Sequence, residues 1–137
     1  LAKQIVLDGE GATKLIECTV TGAKSIEDAR LTVKSVIESP LVKTAIAGED
    51  PNWGRIAMAV GKYPGVSVDM TALTIQINDQ VIFDATQKLV PNRDELASIM
   101  TPSIIRIMIC IGSNVYSATG WGCDLTHGYI DINTEYN

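Results

Sequence analysis

Asp8-Gly9-Glu10-Gly11 places two carboxylates between two glycines near the start of a 137-residue chain. Glycines there let the backbone turn with positive φ and let a ligand come close. A carboxylate in such a turn could bind an amine or manage a proton. The bland alternative is a solvated acidic turn. Metal binding has less to recommend it, because only Asp8 and Glu10 are near each other and no histidine assists. A second unusual stretch is Gly48-Glu49-Asp50-Pro51-Asn52-Trp53-Gly54-Arg55. Turn formation asks for Gly, Pro, Asn and Asp, but not for a Trp and an Arg. Its structural reading packs Trp53 on the core edge and pairs Arg55 with Glu49 or Asp50. The alternative is an anion site at the start of a helix near Asn52. A third stretch is Trp121-Gly122-Cys123-Asp124-Leu125-Thr126.

Several chemistries lack their residues. His127 is the one histidine, and no nucleophile is marked near it. Gly-x-Ser-x-Gly, P-loop and Gly-x-Gly-x-x-Gly patterns are absent. Cys18, Cys110 and Cys123 are widely spaced and odd in number, so they read as small hydrophobes in a reducing cytosol rather than as a disulfide framework or a zinc site. The formal net charge of -5 argues against nucleic acid or an anionic membrane as partner. Hydrophobic residues at 46% and charged residues at 20% are ordinary for one globular domain. The apolar run 104–111 is broken by Arg106 and is too short to span a bilayer.

The elements that must position these residues follow from periodicity. Residues 1–7 read as the end of a helix stopped by Gly9. Residues 13–21 alternate as a strand, with Leu15, Glu17 and Thr19 on one side and Ile16, Cys18 and Val20 on the other; Gly22-Ala23-Lys24 reads as a turn. Residues 25–39 form the clearest helix, N-capped by Ser25, with Ile26, Ala29, Val33, Val36 and Ile37 as its apolar stripe and Pro40 beyond its end. Residues 41–47 are too short to assign. Residues 52–61 favour a helix between Asn52 as cap and Gly61 as stop. A strand is expected over 68–77, turning at Asn78-Asp79 into a partner at 80–83. A short helix is expected over 92–100 and a central strand over 104–111, with Ile105, Ile107, Ile109 and Ile111 on one face and Arg106, Met108 and Cys110 on a wet or interfacial one. Residues 115–121 read as the next strand. Asp124 caps a short helix to Tyr129, or a strand covers 129–132; the polar tail 132–137 reads as frayed. The mixture gives a layered α/β or α+β fold.

Three long motifs in order carry a resemblance. Asp8-Gly9-Glu10-Gly11-Ala12-Thr13-Lys14 is one. Ser39-Pro40-Leu41-Val42-Lys43-Thr44-Ala45 running on to Arg55 is another. Gly122-Cys123-Asp124-Leu125-Thr126, then Ile132-Asn133 and Tyr136, is the last. Together they resemble the latter part of the second (beta) chain of the bifunctional glutamate N-acetyltransferase / ornithine acetyltransferase family of arginine biosynthesis. The resemblance implies an α/β/β/α sandwich and a precursor that cuts itself before a threonine. That threonine becomes an N-terminal nucleophile, with its α-amine as base. It implies ping-pong transfer of acetyl from N2-acetyl-ornithine to glutamate, with an oxyanion hole from the companion alpha chain, no cofactor, and acetyl-CoA as a further donor in bifunctional members. It implies a cytoplasmic heterotetramer. Glu10 and Asn133 stand where the family contacts substrate, while a Thr or Ser expected a few residues beyond Asn133 is absent here. No catalytic residue is assigned to this stretch, because it starts at Leu1 and the nucleophile is expected upstream. A non-catalytic structural domain and a related self-cleaving aminopeptidase remain as alternatives.

Overall fold

The computed structural model describes residues 14–87, 93–124 and 131–136. Strand β1 (Leu15–Ala23) is followed by helices α1 (Ile26–Glu38), α2 (Pro40–Ala47) and α3 (Trp53–Val60). The hairpin β2 (Thr74–Ile77) and β3 (Gln80–Asp84) comes next. Helix α4 (Arg93–Leu96) runs directly into a 3-10 turn (Ala97–Met100). Strands β4 (Ile104–Cys110), β5 (Tyr116–Cys123) and β6 (Asp131–Tyr136) complete the order. They form one six-stranded sheet, β3-β2-β4-β1-β5-β6. Among the described residues only β1 and β4 run parallel, Ile16 opposite Ile105 and Val20 opposite Ile109; the other pairs are antiparallel. The architecture is a mixed α/β layer, as the alternation of element types implies.

Helix α1 starts where a cap is available: the Ser25 hydroxyl oxygen accepts the Asp28 N–H at 3.0 Å. It packs on β1 and β5. Ala29, Val33, Val36 and Ile37 are buried against Ile16, Cys18 and Val20 of β1, Ile105, Ile107 and Ile109 of β4, and Ala118 of β5. Each large side chain so removed from water contributes roughly 1.5–3 kcal/mol. Gly122 lets the helix come this close: a β-carbon there would run into the Ile37 γ2-methyl. The Ser35 hydroxyl donates to the Ala59 carbonyl and ties α1 to α3.

Several expectations change. The unassigned run 41–47 is helical: Pro40 fits the first turn and the Ser39 hydroxyl oxygen accepts the Val42 N–H at 3.3 Å. The expected strand 68–77 begins only at Thr74. Before it, the Asp69 carboxylate accepts the Thr71 hydroxyl at 2.6 Å and its N–H at 3.0 Å, closing a local turn in place of a ladder. The same bonds hold the Asp69 carboxyl below its ordinary pKa. The helix expected over 92–100 splits into α4 and the 3-10 turn, and Asn92, its expected cap, lies outside the described residues. The expected turn at Gly22 belongs to β1, which continues to Ala23 with a register shift after Val20. Gly22 takes φ 77°, and a β-carbon on it would collide with the Gly112 main chain. The hairpin stands as expected, with Asn78 and Asp79 at φ 48° and 71°. The tail is not frayed, because β6 pairs with β5 along its length. The helix ending at Gly9 and the short helix 124–129 fall on residues outside those described.

Candidate functional site

Lys14, immediately before β1, is only 6% exposed. Its backbone N–H donates to Asp124 Oδ1 at 3.1 Å, and the Asp124 N–H returns to the Lys14 carbonyl at 3.2 Å. Its Nζ donates to the carbonyls of Thr101 at 3.3 Å and Pro102 at 3.0 Å, and lies 3.0 Å from Glu49 Oε2. An ammonium has three donors, and here each has an acceptor, which is what a buried cation requires. Lys14, Glu49 and Asp124, one from each of the three motifs 8–14, 39–55 and 122–136, therefore meet at one end of the sheet. Lys14 ends the first, Glu49 lies in the second and Asp124 in the third.

Glu49 reaches Lys14 through an uncommon backbone. Helix α2 closes with the Asp50 N–H on the Ala45 carbonyl at 2.8 Å and the Glu49 N–H on the Ile46 carbonyl at 3.1 Å. This closure needs a left-handed residue just past the cap, a place glycine usually takes. Here that residue is Glu49, φ 55°, while Gly48 beside it has φ -86°. A left-handed non-glycine residue costs about 1 kcal/mol. The carboxylate is thereby carried out of the helix towards Lys14.

The rest of the second stretch is structural. Asn52 Oδ1 accepts the Arg55 N–H at 3.1 Å and caps α3, as its position suggested. Trp53 stacks on Phe83 with ring centroids 4.5 Å apart and packs at the core edge. The expected pairing of Arg55 with Glu49 or Asp50 is replaced: Glu49 is turned to Lys14, and Arg55 Nη1 donates to the Leu41 carbonyl at 2.9 Å. Ser39, Leu41, Arg55, Met58 and Lys62 line a cleft of about 250 Å³ beside it.

The sheet face opposite the helices is polar and partly open. Glu17 of β1 stands opposite Arg106 of β4 and Trp121 of β5. Its carboxylate accepts the Trp121 indole N–H at 2.9 Å and lies 3.2 Å from Arg106 Nε. One row along, the hydroxyls of Thr19 and Thr119 are 3.0 Å apart, flanked by Met108, 41% exposed. Asn133 takes the register position opposite Thr119 on β6. Next to Lys14, Leu15 and Cys123 form a small apolar cluster with Ile104 and Trp121 on this face. Glu10 lies outside the described residues, in the segment that leads into Lys14. The Glu17–Arg106–Trp121 row went unremarked in the sequence, although the strand alternation had put Glu17 and Arg106 on the sides away from the buried isoleucines.

Burial pushes the Cys18 thiol up to about 12, which leaves it without thiolate character near neutral pH. Cys110 donates to the Gly112 carbonyl at 3.2 Å. Among the described residues no three His, Cys, Asp or Glu side chains could hold a metal ion, and no helix is long and apolar enough to cross a membrane. His127 lies outside them.

The whole chain, residues 1–137, matches the family model described as the ArgJ family. It is 46% identical over 141 residues to a glutamate N-acetyltransferase of Methanosarcina acetivorans, covering 99% of this chain and 35% of that protein. It is 46% identical over 138 residues to the arginine biosynthesis bifunctional protein ArgJ of Ruegeria pomeroyi, covering 99% of this chain and 33% of that one. The chain thus spans about a third of the length of these curated relatives. The crystal structure of the arginine biosynthesis bifunctional protein ArgJ of Bacillus halodurans is similar with a TM-score of 0.79 and 39% identity, over 91% of this chain and 59% of that one. With its motifs, its mixed sheet and its full-length match in agreement, this chain belongs to the ArgJ family.

Proposed function

We propose that this stretch forms one wall of the active site of an enzyme that moves an acetyl group from N2-acetyl-L-ornithine to L-glutamate. It constitutes a single domain, the latter part of a self-processed second chain. The nucleophilic threonine belongs to polypeptide outside these residues. In the first half-reaction its oxygen attacks the acetyl carbonyl, the C–N bond breaks, and ornithine leaves with the proton on its amine. In the second, the glutamate amine attacks the ester and regenerates the hydroxyl. Glu10 binds the ornithine amine and Asn133 supplies a polar contact to the same substrate. No cofactor takes part in that exchange; acetyl-CoA serves as a donor if the protein is bifunctional.

The observation that carries this reading is the meeting of the three family motifs at Lys14, with Glu49 and Asp124 around it. That junction fixes Lys14, which follows Glu10 by four positions in the sequence, at one end of the sheet. The polar face with Glu17, Arg106 and Trp121 supports a second sheet packing there, as an α/β/β/α sandwich requires. The assembled enzyme is a cytoplasmic heterotetramer of two companion chains. The test is the complete gene product supplied with acetyl-ornithine and glutamate. Ornithine and N-acetylglutamate should appear together in equal amounts, and a parallel reaction with acetyl-CoA decides bifunctionality. A folded, processed protein that releases neither product from acetyl-ornithine contradicts the proposal.

A further inference from the structure

We propose that a crevice at the far end of the open sheet face is a further binding site, one that takes a small uncharged ligand of the carboxamide type. Strands β4 and β5 lie on either side of β1, so the connection 111–115 between them must cross the end of β1. Two hydrogen bonds pin it there: the Ile111 N–H donates to the Thr21 carbonyl at 3.0 Å, and the Asn114 N–H to the Gly22 carbonyl at 3.3 Å. Gly22 and Gly112 let the two main chains touch, since a β-carbon on either would press on the carbonyl oxygen of the other. The crossing segment is therefore a fixed wall. Beside it, Thr21, Cys110 and Ser117 line one crevice of about 340 Å³. Thr21 stands opposite Cys110 in the β1–β4 register, and Ser117 lies two residues from Thr119 on β5. All three thus belong to the polar face that carries Thr19 and Thr119.

Ser117 is the informative residue. It is only 7% exposed, yet its hydroxyl has no hydrogen-bond partner among the described residues. Every fully enclosed side-chain polar atom among those residues does have a partner, so this hydroxyl opens into the crevice that Ser117 lines. Buried polar groups are as a rule paired, and one left without a protein partner calls for a partner from outside. The Thr21 hydroxyl, half-buried on the neighbouring strand, is in the same state. Neighbouring strands lie about 4.8 Å apart, and each hydroxyl can both donate and accept. A carboxamide offers its carbonyl to one and its N–H to the other. No charged side chain lines the crevice among the described residues, so an ionised ligand would lose water without gaining a counter-charge. Val115, 56% exposed, adds an apolar side chain to the lining and suits a short alkyl body. Glu135 takes the register position opposite Ser117 on β6, which makes a cation the sharpest competing ligand.

The experiment uses the complete protein with butyramide as probe, and with butyrate and butylammonium as charged ligands of the same size. Titrations followed by ligand-observed nuclear magnetic resonance give the three dissociation constants. Butyramide should bind at least about 10-fold more tightly than either ion. Ser117→Ala and Thr21→Val should each weaken it about 3- to 10-fold, the worth of one neutral hydrogen bond. Ser117→Ala removes no hydrogen bond within the described residues, so it should unfold within about 2 °C of the parent; Thr21→Val keeps the side-chain shape and repeats the test on the other hydroxyl. Absence of butyramide binding, which leaves the crevice to water, overturns the proposal. So does equal binding of the three probes, tighter binding of butylammonium, or butyramide binding that neither variant weakens, which places the probe elsewhere. A clear fall in the unfolding temperature of Ser117→Ala assigns the hydroxyl to structure and overturns it as well. Binding alone is read, so the outcome is independent of whether the protein transfers acetyl.

Discussion

Gly122 of β5 and Ile37 of α1 compete for one volume, because a β-carbon on the glycine would fall on the isoleucine γ2-methyl. Gly122 lies in the third unusual stretch, next to Cys123 and Asp124. Its presence there is a packing requirement of the helix layer, whereas Asp124 two residues on serves the Lys14 junction. One short motif thus holds two kinds of constraint. Gly122→Ala should destabilise the protein by about 1–3 kcal/mol, the usual range for overpacking a filled core. Urea unfolding of the complete protein measures this. Ile37→Val, which leaves the γ2 carbon in place, should recover little; Ile37→Ala should recover part of the loss. Independent, additive effects of the two positions would contradict the shared volume.

Lys14→Met keeps the length of the side chain and removes its three donors. The carbonyls of Thr101 and Pro102 then lose a partner, while Glu49, nearly half exposed, returns to water. We expect a loss of about 1–3 kcal/mol, the cost of leaving buried polar groups unpaired. Lys14→Arg should restore less than full stability, since a planar fork does not reproduce the three directions of an ammonium. Chemical denaturation of the two variants beside the parent checks both.

Cys18 gives a pH prediction whose sign is fixed. Its folded pKa is raised from 9.0 to about 12 because burial penalises the thiolate. The unfolded chain releases this proton first as pH rises, so the folded state binds more protons between those values. The associated stability is full below about pH 9 and is lost as pH climbs towards 12. Cys18→Ala should flatten the alkaline fall of the unfolding free energy between pH 8.5 and 10.5, in steps of roughly half a unit. In the folded protein at pH 8, Cys18 should resist alkylation, while half-buried Cys110 is modified first. Mass spectrometry of the labelled peptides reads this order.

Glu10→Ala and Asn133→Ala should each lower kcat/KM for acetyl-ornithine in the complete enzyme. A contact to a charged substrate group is worth about 1.5–3 kcal/mol, hence roughly 10- to 100-fold. Unfolding temperature should stay within about 2 °C of the parent for Glu10→Ala if Glu10 serves substrate binding rather than packing. Steady-state kinetics and a thermal melt on the same preparation separate the two effects.

Much of this fold was legible because its signals are local. Ile105, Ile107 and Ile109 alternate with Arg106 and Met108, and β4 follows with its buried and open faces as read. Ser25 and Asn52 cap the helices they precede. What the sequence withheld is non-local. Strand β6 looked like a loose tail because its order comes from β5, not from its own polar residues. The run 68–73 looked like a strand until Asp69 found Thr71. Arg55 was expected to pair with its acidic neighbours, and the left-handed turn at Glu49 sends that carboxylate to Lys14 instead. The Lys14 junction joins four segments remote in sequence, and no periodicity announces such a meeting. Glu10 and Asn133 entered through motif resemblance alone, since a lone acid in a glycine turn and an amide near a terminus carry no chemistry by spacing.

The central claim is that this stretch borders the pocket in which an ornithine-type substrate is held. A crystal structure of the complete protein with ornithine bound measures it directly. The account predicts an ornithine nitrogen about 3 Å from a Glu10 carboxylate oxygen and Asn133 within hydrogen-bond reach of the same molecule, with the Lys14–Glu49 ion pair intact behind them. An ornithine seated on other polypeptide, with Glu10 and Asn133 both turned away to solvent, contradicts it.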